Sequence, residues 1–293
     1  MIKLAFYGKG GIGKSTAASN VSVALAQKGL KVMQIGCDPK ADSTTFLHGG
    51  ERIPTVLDLV RKGESFDLED MVRVGYNGVV CVEAGGPVPG LGCAGRGIIA
   101  ALEELEKKGA YEKYQPDVVI YDVLGDVVCG GFSMPMRKGY ADKVFIITSG
   151  ESMSVYAAAN IAMAVENFKS RGYASLGGFI LNKRNVKNEE EKAAELAADF
   201  HSSVIAEIDR SDLVSEAEDM RKTVMEAFPD STAAEQYRAL ADKIAEIDRS
   251  DLVSEAEDMR KTVMEAFPDS TAAEQYRALA DKIAELCGMG EEK

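Results

Sequence analysis

The sequence predicts an α/β fold in a single domain: a doubly wound, mostly parallel sheet with helices on both faces. Three observations carry that expectation. Short β-prone runs alternate with helix-patterned segments over most of the 293 residues, as parallel sheets with crossover helices require. The first run, Ile2-Lys3-Leu4-Ala5-Phe6-Tyr7, leads straight into Gly8-Lys9-Gly10-Gly11-Ile12-Gly13-Lys14-Ser15-Thr16. Residues 15–30 then place Val21, Ala24 and Leu25 on one helical face, so the glycines stand at a strand-to-helix turn. A later run, Val118-Val119-Ile120-Tyr121-Asp122, ends on an acid, and in such sheets ligands gather at the carboxyl ends of strands.

In chain order, Lys31-Val32-Met33-Gln34-Ile35 reads as the second strand and Gly36-Cys37-Asp38-Pro39-Lys40-Ala41-Asp42-Ser43-Thr44 as the loop leaving it. Residues 53–62 and 68–72 pattern as short helices and 79–83 as the third strand. Residues 84–97 hold six glycines and two prolines, too many for a regular element and typical of a functional loop on a rigid scaffold. A helix at 98–108, a strand at 117–121, a glycine-rich stretch around Cys129, a strand at 143–148, a helix at 153–170 and a strand at 177–181 continue the alternation.

Composition narrows the function classes. A net charge of −13 and a pI near 4.8 argue against a nucleic-acid surface, and no Lys/Arg-rich block offsets them. No apolar run approaches the ~20 residues of a membrane span, and Met1 leads directly into a core strand, so a soluble, cytoplasmic protein is expected. Five cysteines, Cys37, Cys81, Cys93, Cys129 and Cys287, are then expected to be free, metal-bound or catalytic instead of disulfide-linked.

The C-terminal third is unusual. Residues 205–243 recur, residue for residue, as 244–282, and Ile283-Ala284-Glu285 begins a third copy that stops. Repeat architectures need several units and their units diverge, so perfect identity points to a recent tandem duplication or an assembly artefact. Only the first copy follows a strand pattern, 201–208. The expected organisation is therefore a domain over 1–243, an appended helical segment over 244–282 and a tail over 283–293. Each copy ends in a helix signalled by a capping-box pattern, Thr232 with Glu235 and Thr271 with Glu274.

The chemistry starts at the glycines. Backbone N–H groups of such a turn converge on phosphate oxygens, the helix N-terminus adds partial positive charge, Lys14 reaches the β/γ-phosphates and Ser15 can ligate Mg²⁺. Gly8, Gly10 and Gly13 also fit a dinucleotide turn, with Asp38 placed for a ribose. Lys14-Ser15 directly after the last glycine, and the acid-ended strand at Asp122, favour a nucleoside triphosphate. Cys93 and Cys129 sit in tight glycine-flanked segments without a C-x-x-C pair. One chain thus offers two spaced thiols where a cubane cluster needs four. A symmetric dimer would complete the set; the alternative is two ordinary small buried residues.

Four stretches together resemble the nitrogenase iron protein family: Gly8 to Thr16 with its extra Lys9, Asp38 to Thr44, Gly90-Leu91-Gly92-Cys93-Ala94-Gly95-Arg96-Gly97, and Tyr121-Asp122-Val123-Leu124-Gly125-Asp126-Val127-Val128-Cys129-Gly130-Gly131-Phe132. The likeness runs from Met1 to about Lys243. It implies a homodimer with one [4Fe-4S] cluster held by Cys93 and Cys129 of both chains, and one MgATP per chain. It also implies single-electron transfer to a larger catalytic component, with ferredoxin or flavodoxin as donor. Lys9 would reach the neighbouring chain's phosphates. Asp38 and Asp42, beside Lys40, match a first nucleotide switch, and Asp122 and Asp126 a second whose movement could reposition the cluster through Cys129. Asn182 matches an adenine contact and Asp209-Arg210-Ser211-Asp212 a loop closing over the base, with Asp248-Arg249-Ser250-Asp251 as its duplicated rival. Arg96 matches a partner-facing arginine that some members have ADP-ribosylated.

The resemblance leaves the final substrate open between dinitrogen and a tetrapyrrole of the protochlorophyllide or nickel-sirohydrochlorin type; residues 149–160 are nearer to nitrogenase than to the chlorophyll-pathway proteins but leave the nickel-tetrapyrrole branch open. The short tail at 286–293 departs from longer nitrogenase tails. A partitioning or positioning ATPase shares the phosphate loop and dimer but needs no cluster, so its cysteines would be incidental.

Overall fold

Strand β1 (Ile2–Gly8) is buried along most of its length. Ala5 and Tyr7 face one side, Leu4 and Phe6 the other, and all four are at most 2% exposed. A strand covered on both faces is the mark of a parallel sheet between two helical layers. The computed structural model describes residues 1–86, 94–124, 134–137, 139–169, 171–258, 268–270, 272–274 and 277. Cys93, Asp126, Cys129 and Cys287 lie outside them.

In chain order the described elements are β1, α1 (Lys14–Gln27), β2 (Val32–Cys37), α2 (Val56–Lys62), α3 (Leu68–Met71), β3 (Val72–Val74), β4 (Val80–Glu83), α4 (Ala94–Lys107), α5 (Ala110–Tyr114), β5 (Val118–Val123), β6 (Lys143–Thr148), α6 (Ser152–Lys169), β7 (Ser175–Asn182), α7 (Glu189–Asp199), β8 (Val204–Ile208), α8 (Asp212–Asp219), α9 (Val224–Ala227) and α10 (Thr232–Asp258). The sheet runs β3-β4-β2-β5-β1-β6-β7-β8. Every neighbouring pair is parallel except the edge pair β3 and β4. The core on one face joins Ala5, Tyr7, Ile35 and Tyr121 to side chains of α2, α4, α6 and α7. Helix α1 packs elsewhere, against β1, β2 and β5, so the sheet is doubly wound as expected.

Several boundaries differ from the sequence reading. Residues 53–55 precede α2, which Thr55 caps through its side chain, and residue 72 belongs to β3, an element of three residues. That strand was invisible to a pattern search because so short a run carries no period. Helix α10 is capped by Ser231, whose Oγ accepts from Ala234 N at 3.2 Å, so the cap lies one residue before the Thr232 expected from the S/T-x-x-E pattern.

The duplicated segment shows context overriding propensity. Ile205-Ala206-Glu207-Ile208 lies in β8, where β7 supplies a ladder. The same four residues recur at 244–247 inside α10. There they follow twelve residues already in a helix, and propagating a helix is easier than starting a strand with no partner. Asp248-Arg249-Ser250-Asp251 is likewise helical, so it forms no second loop. Farther on, the copy repeats the local cap: Ser270 Oγ accepts from Ala273 N at 3.1 Å.

The chain divides into two compact units, Met1–Ala241 and Asp242–Lys293, and the whole sheet lies in the first. Deleting residues 244–282 joins Lys243 to Ile283-Ala284-Glu285, which repeats the native continuation. The expected outcome is a cooperative thermal transition shifted by no more than about 2–4 °C, with nucleotide binding kept. Loss of folding in that variant would contradict an appended role for the second copy.

Candidate functional site

The carboxyl ends of β1, β2, β5, β7 and β8 meet around one cleft of about 490 Å³. It is lined by Lys9, Gly10, Gly11, Gly13, Lys14, Ser15 and Thr16 from the first turn, and by Asp38, Lys40 and Asp42 from the loop after β2. Asn182 closes β7, and Asp209, Arg210 and Asp212 follow β8. The structure thus gathers in one place residues as far apart in the chain as Lys9 and Asp212. Arg96 stands apart, exposed in the first turn of α4 and absent from the lining.

The phosphate loop is built by backbone constraint. Gly11 and Gly13 have φ of 74° and 92°, a region that costs a side-chain-bearing residue about 1 kcal/mol or more. At Gly13 there is also no room, since a Cβ would stand 2.5 Å from Asn182 Nδ2. Gly13 caps α1 without a side-chain hydrogen bond, leaving the helix N-terminus open to an anion. Asn182 Nδ2 donates to Ile12 O at 2.6 Å and Arg184 Nη2 to Gly11 O at 2.8 Å, so residues at and just after the end of β7 engage two of the loop's carbonyls.

Behind the loop lies a buried polar network. Lys14 Nζ meets Asp122 Oδ1 at 2.5 Å, with the side chains 8% and 0% exposed. Ser43 Oγ donates to Asp122 Oδ2 at 2.6 Å, and Gln34 Nε2 donates to Ser43 and Ser19. Ser22 Oγ donates to Gln34 Oε1 at 2.8 Å. One carboxylate is thereby tied to the phosphate loop, to α1, to β2 and to the loop bearing Asp38 and Asp42. Such pairs discriminate strongly: removing one partner strands a buried charge at a cost of roughly 3–5 kcal/mol.

Several contributors escaped the sequence reading. Lys183 meets Glu190 and Glu207 at 2.7 Å and Asp209 at 3.3 Å, and hydrogen bonds from these acids hold its ammonium well above the usual lysine range. Asp209 is further held by Gln236, whose Nε2 donates at 2.8 Å. Its carboxylate therefore braces the loop whose Arg210, Ser211 and Asp212 also line the cleft. Ser211 caps α8, and Glu218 on that helix accepts from Thr16 Oγ1 at 3.3 Å. Apart from Lys183 and Glu190, these pairs join residues 24 to 202 positions apart, beyond any local pattern.

Two of the five cysteines are described. Cys37 and Cys81 are buried in β2 and β4 and donate to backbone carbonyls. Burial pushes the Cys81 thiol up to about 12 and the Cys37 thiol higher still, with Asp122 and Glu83 adding to the latter. Protonated, enclosed thiols make poor metal ligands. Among the described residues no group of three or more His, Cys, Asp or Glu side chains is placed to hold a metal. Cys93 and Cys129 follow β4 and β5 in the chain, strands that flank β2 and end on the edge of the sheet that carries the cleft.

Residues 2–253 match the 4Fe-4S iron sulfur cluster binding proteins of the NifH/frxC family. The chain belongs to that family. It is 54% identical over 248 residues to a nitrogenase iron protein of Methanospirillum hungatei, covering 83% of this chain and 88% of the relative. It is 50% identical over 242 residues to nitrogenase iron protein 2 of Paenibacillus durus, covering 83% of each. Among solved structures, the cell division ATPase MinD of Pyrococcus furiosus has a TM-score of 0.65 at 20% identity, over 84% of this chain and 99% of that one. At that identity the likeness shows the fold alone. The family match ends ten residues into the second copy.

Glu83 gives the site a measurable pH dependence. Burial raises its carboxyl from an ordinary 4.5 to about 7, against two hydrogen bonds from Thr44 that lower it, and Asp122 and Asp42 push it further up. The folded chain therefore binds this proton more tightly than the unfolded chain. Stability falls as pH rises from about 4.5 to 7, at up to roughly 1.4 kcal/mol per pH unit. Thermal melting should show the native chain losing stability relative to Glu83→Gln across that window; parallel profiles would contradict the assignment.

Proposed function

We propose that this chain is the ATP-dependent reductase of a nitrogenase-type system, passing single electrons to a larger catalytic partner that reduces dinitrogen. As a family member it is an ATP-hydrolysing oxidoreductase of the nitrogenase-reductase type, with a [4Fe-4S] cluster and MgATP as cofactors. The observation that carries the reading is the 54% identity to a nitrogenase iron protein, within a family match that spans both the Cys93 and Cys129 segments. The chain works as a homodimer in the cytoplasm, with ferredoxin or flavodoxin as electron donor. No helix among the described residues is long and apolar enough to cross a membrane.

The cleft fits a nucleoside triphosphate with magnesium. Gly10, Gly11 and Gly13 turn backbone N–H groups toward phosphate, and the uncapped N-terminus of α1 adds partial positive charge. Lys14 answers the β/γ-phosphates, Ser15 supplies the magnesium ligand, and Asp38 with Asp126 positions water. Lys40, Asp42 and Asp122 complete the switch segments, Asn182 reads the base, and the loop Asp209-Arg210-Ser211-Asp212 covers it. Lys9 reaches across the dimer to the partner's phosphates, which makes hydrolysis depend on two chains. Cys93 and Cys129 from both chains hold the cluster, which supplies one-electron chemistry, and Arg96 faces the catalytic partner.

Anaerobic purification tests this reading directly. A brown dimer with about four iron atoms per two chains is expected, and Cys93→Ser or Cys129→Ser should lose the iron while keeping MgATP binding. A colourless, iron-free dimer that hydrolyses ATP would instead support a positioning ATPase. Lys9→Ala should slow hydrolysis by about 10³ or more, the scale of a cation supplied in trans; an unchanged rate would remove Lys9 from that role.

A further inference from the structure

The loop bearing Asp38 and Asp42 rests at both ends on the chain that runs on to Cys93. At one end, Glu83 closes β4 and is 1% exposed. Its Oε1 accepts from Thr44 N and from Thr44 Oγ1, each at 2.7 Å, while Oε2 is buried without a hydrogen-bond partner among the described residues. Gly36, its neighbour across the β2–β4 ladder, makes space for the carboxyl: a Cβ there would stand 2.0 Å from Oε2. At the other end, Gly86 packs so closely on Pro39 that a Cβ would lie 2.4 Å from Pro39 Cβ.

The far side of the same stretch is braced. A Cβ at Gly85, where φ is +81°, would stand 2.5 Å from Thr55 Oγ1, and Thr55 caps α2. Arg61 Nη2 on α2 donates to Gly86 O, and Leu57 N donates to Ala84 O at 3.2 Å. Residues 84–86 are thus clasped between the nucleotide loop and α2, with little slack to absorb a displacement of Pro39 or Thr44. Cys93 follows Gly86 by seven residues.

We propose that Glu83 and Gly86 are positioning residues that transmit movement of the nucleotide loop to the Cys93 segment, through the Glu83–Thr44 hydrogen bonds and the Gly86–Pro39 contact. The coupling rests on the function proposed above and gives the first cysteine its own link to the nucleotide, separate from the Asp122-to-Cys129 segment. A shift at Asp38 or Asp42 on nucleotide binding pulls on Thr44 and presses on Gly86 together. Residues 84–86 then shift together, at the start of the chain that runs on to Cys93.

The test uses the full-length, iron-loaded dimer and three readouts: iron content, MgATP binding, and the rate at which a ferrous chelator removes iron with and without MgATP. The native dimer is expected to change its extraction rate when MgATP is added. Glu83→Ala should keep about four iron atoms per two chains and should bind MgATP, but its extraction response should shrink about 5-fold or more. Glu83→Gln, whose amide oxygen still accepts both bonds, should keep the response. Should Glu83→Ala fail to fold, Thr44→Val decides: it removes the Oγ1 bond to Glu83, together with the Oγ1 contact to His48, and keeps the bond from Thr44 N, and a reduced response is again expected. A full response in an iron-loaded Glu83→Ala dimer, or in Thr44→Val where that substitution decides, overturns the coupling and leaves the function standing. A native dimer without iron overturns the functional reading and the coupling with it.

Discussion

The contact between Lys14 and Asp122 is the constraint from which the rest of the site follows. A lysine that must serve phosphate has to be buried at the foot of the loop, and a buried ammonium requires an acid beside it. Asp122 supplies that acid from the adjacent strand, in register with Phe6 of β1 and Gly36 of β2. Its second oxygen is taken by Ser43. The carboxylate that steadies the lysine therefore also holds the loop that carries Asp38 and Asp42. Anything that draws Lys14 toward phosphate alters the balance at Asp122, and Ser43 is the first group to feel it.

From that centre two routes lead toward the cysteines. One continues along β5 past Leu124, which lines the cleft, toward Asp126 and Cys129 in the chain. The other crosses from Ser43 and Thr44 to Glu83 and leaves β4 toward Cys93. Both strands flank β2, so β4 and β5 end on the same edge of the sheet as the phosphate loop. A switch protein needs that layout, because a small displacement at a nucleotide becomes useful only where packed elements hand it on.

Much of this was legible in the sequence, and the reason is locality. The phosphate loop, the acid-ended strand at Asp122 and the loop after β2 are contiguous motifs whose chemistry depends on residues a few positions apart; the two loops line one cleft and Asp122 lies buried behind it. Lys183, Arg184, Glu218 and Gln236 went unseen because each acts through a partner far along the chain. Strand β3 is too short to show a period, and Ser231 takes the capping role that the S/T-x-x-E pattern assigns to Thr232. Ile-Ala-Glu-Ile makes the point most sharply: the same four residues form strand at 205–208 and helix at 244–247. Local sequence proposes there and the neighbouring element decides. Cys93, Cys129 and Asp126 lie outside the described residues, so their roles rest on the sequence and on the family.

In the proposed function, nucleotide hydrolysis gates the departure of one electron. The most direct measurement mixes the reduced, iron-loaded dimer rapidly with a nitrogenase-type catalytic component and follows cluster oxidation and phosphate release together, with and without MgATP. Oxidation is expected only when MgATP is present, accompanied by phosphate release. Oxidation at the same rate without nucleotide, or steady hydrolysis with the cluster left reduced, would contradict it.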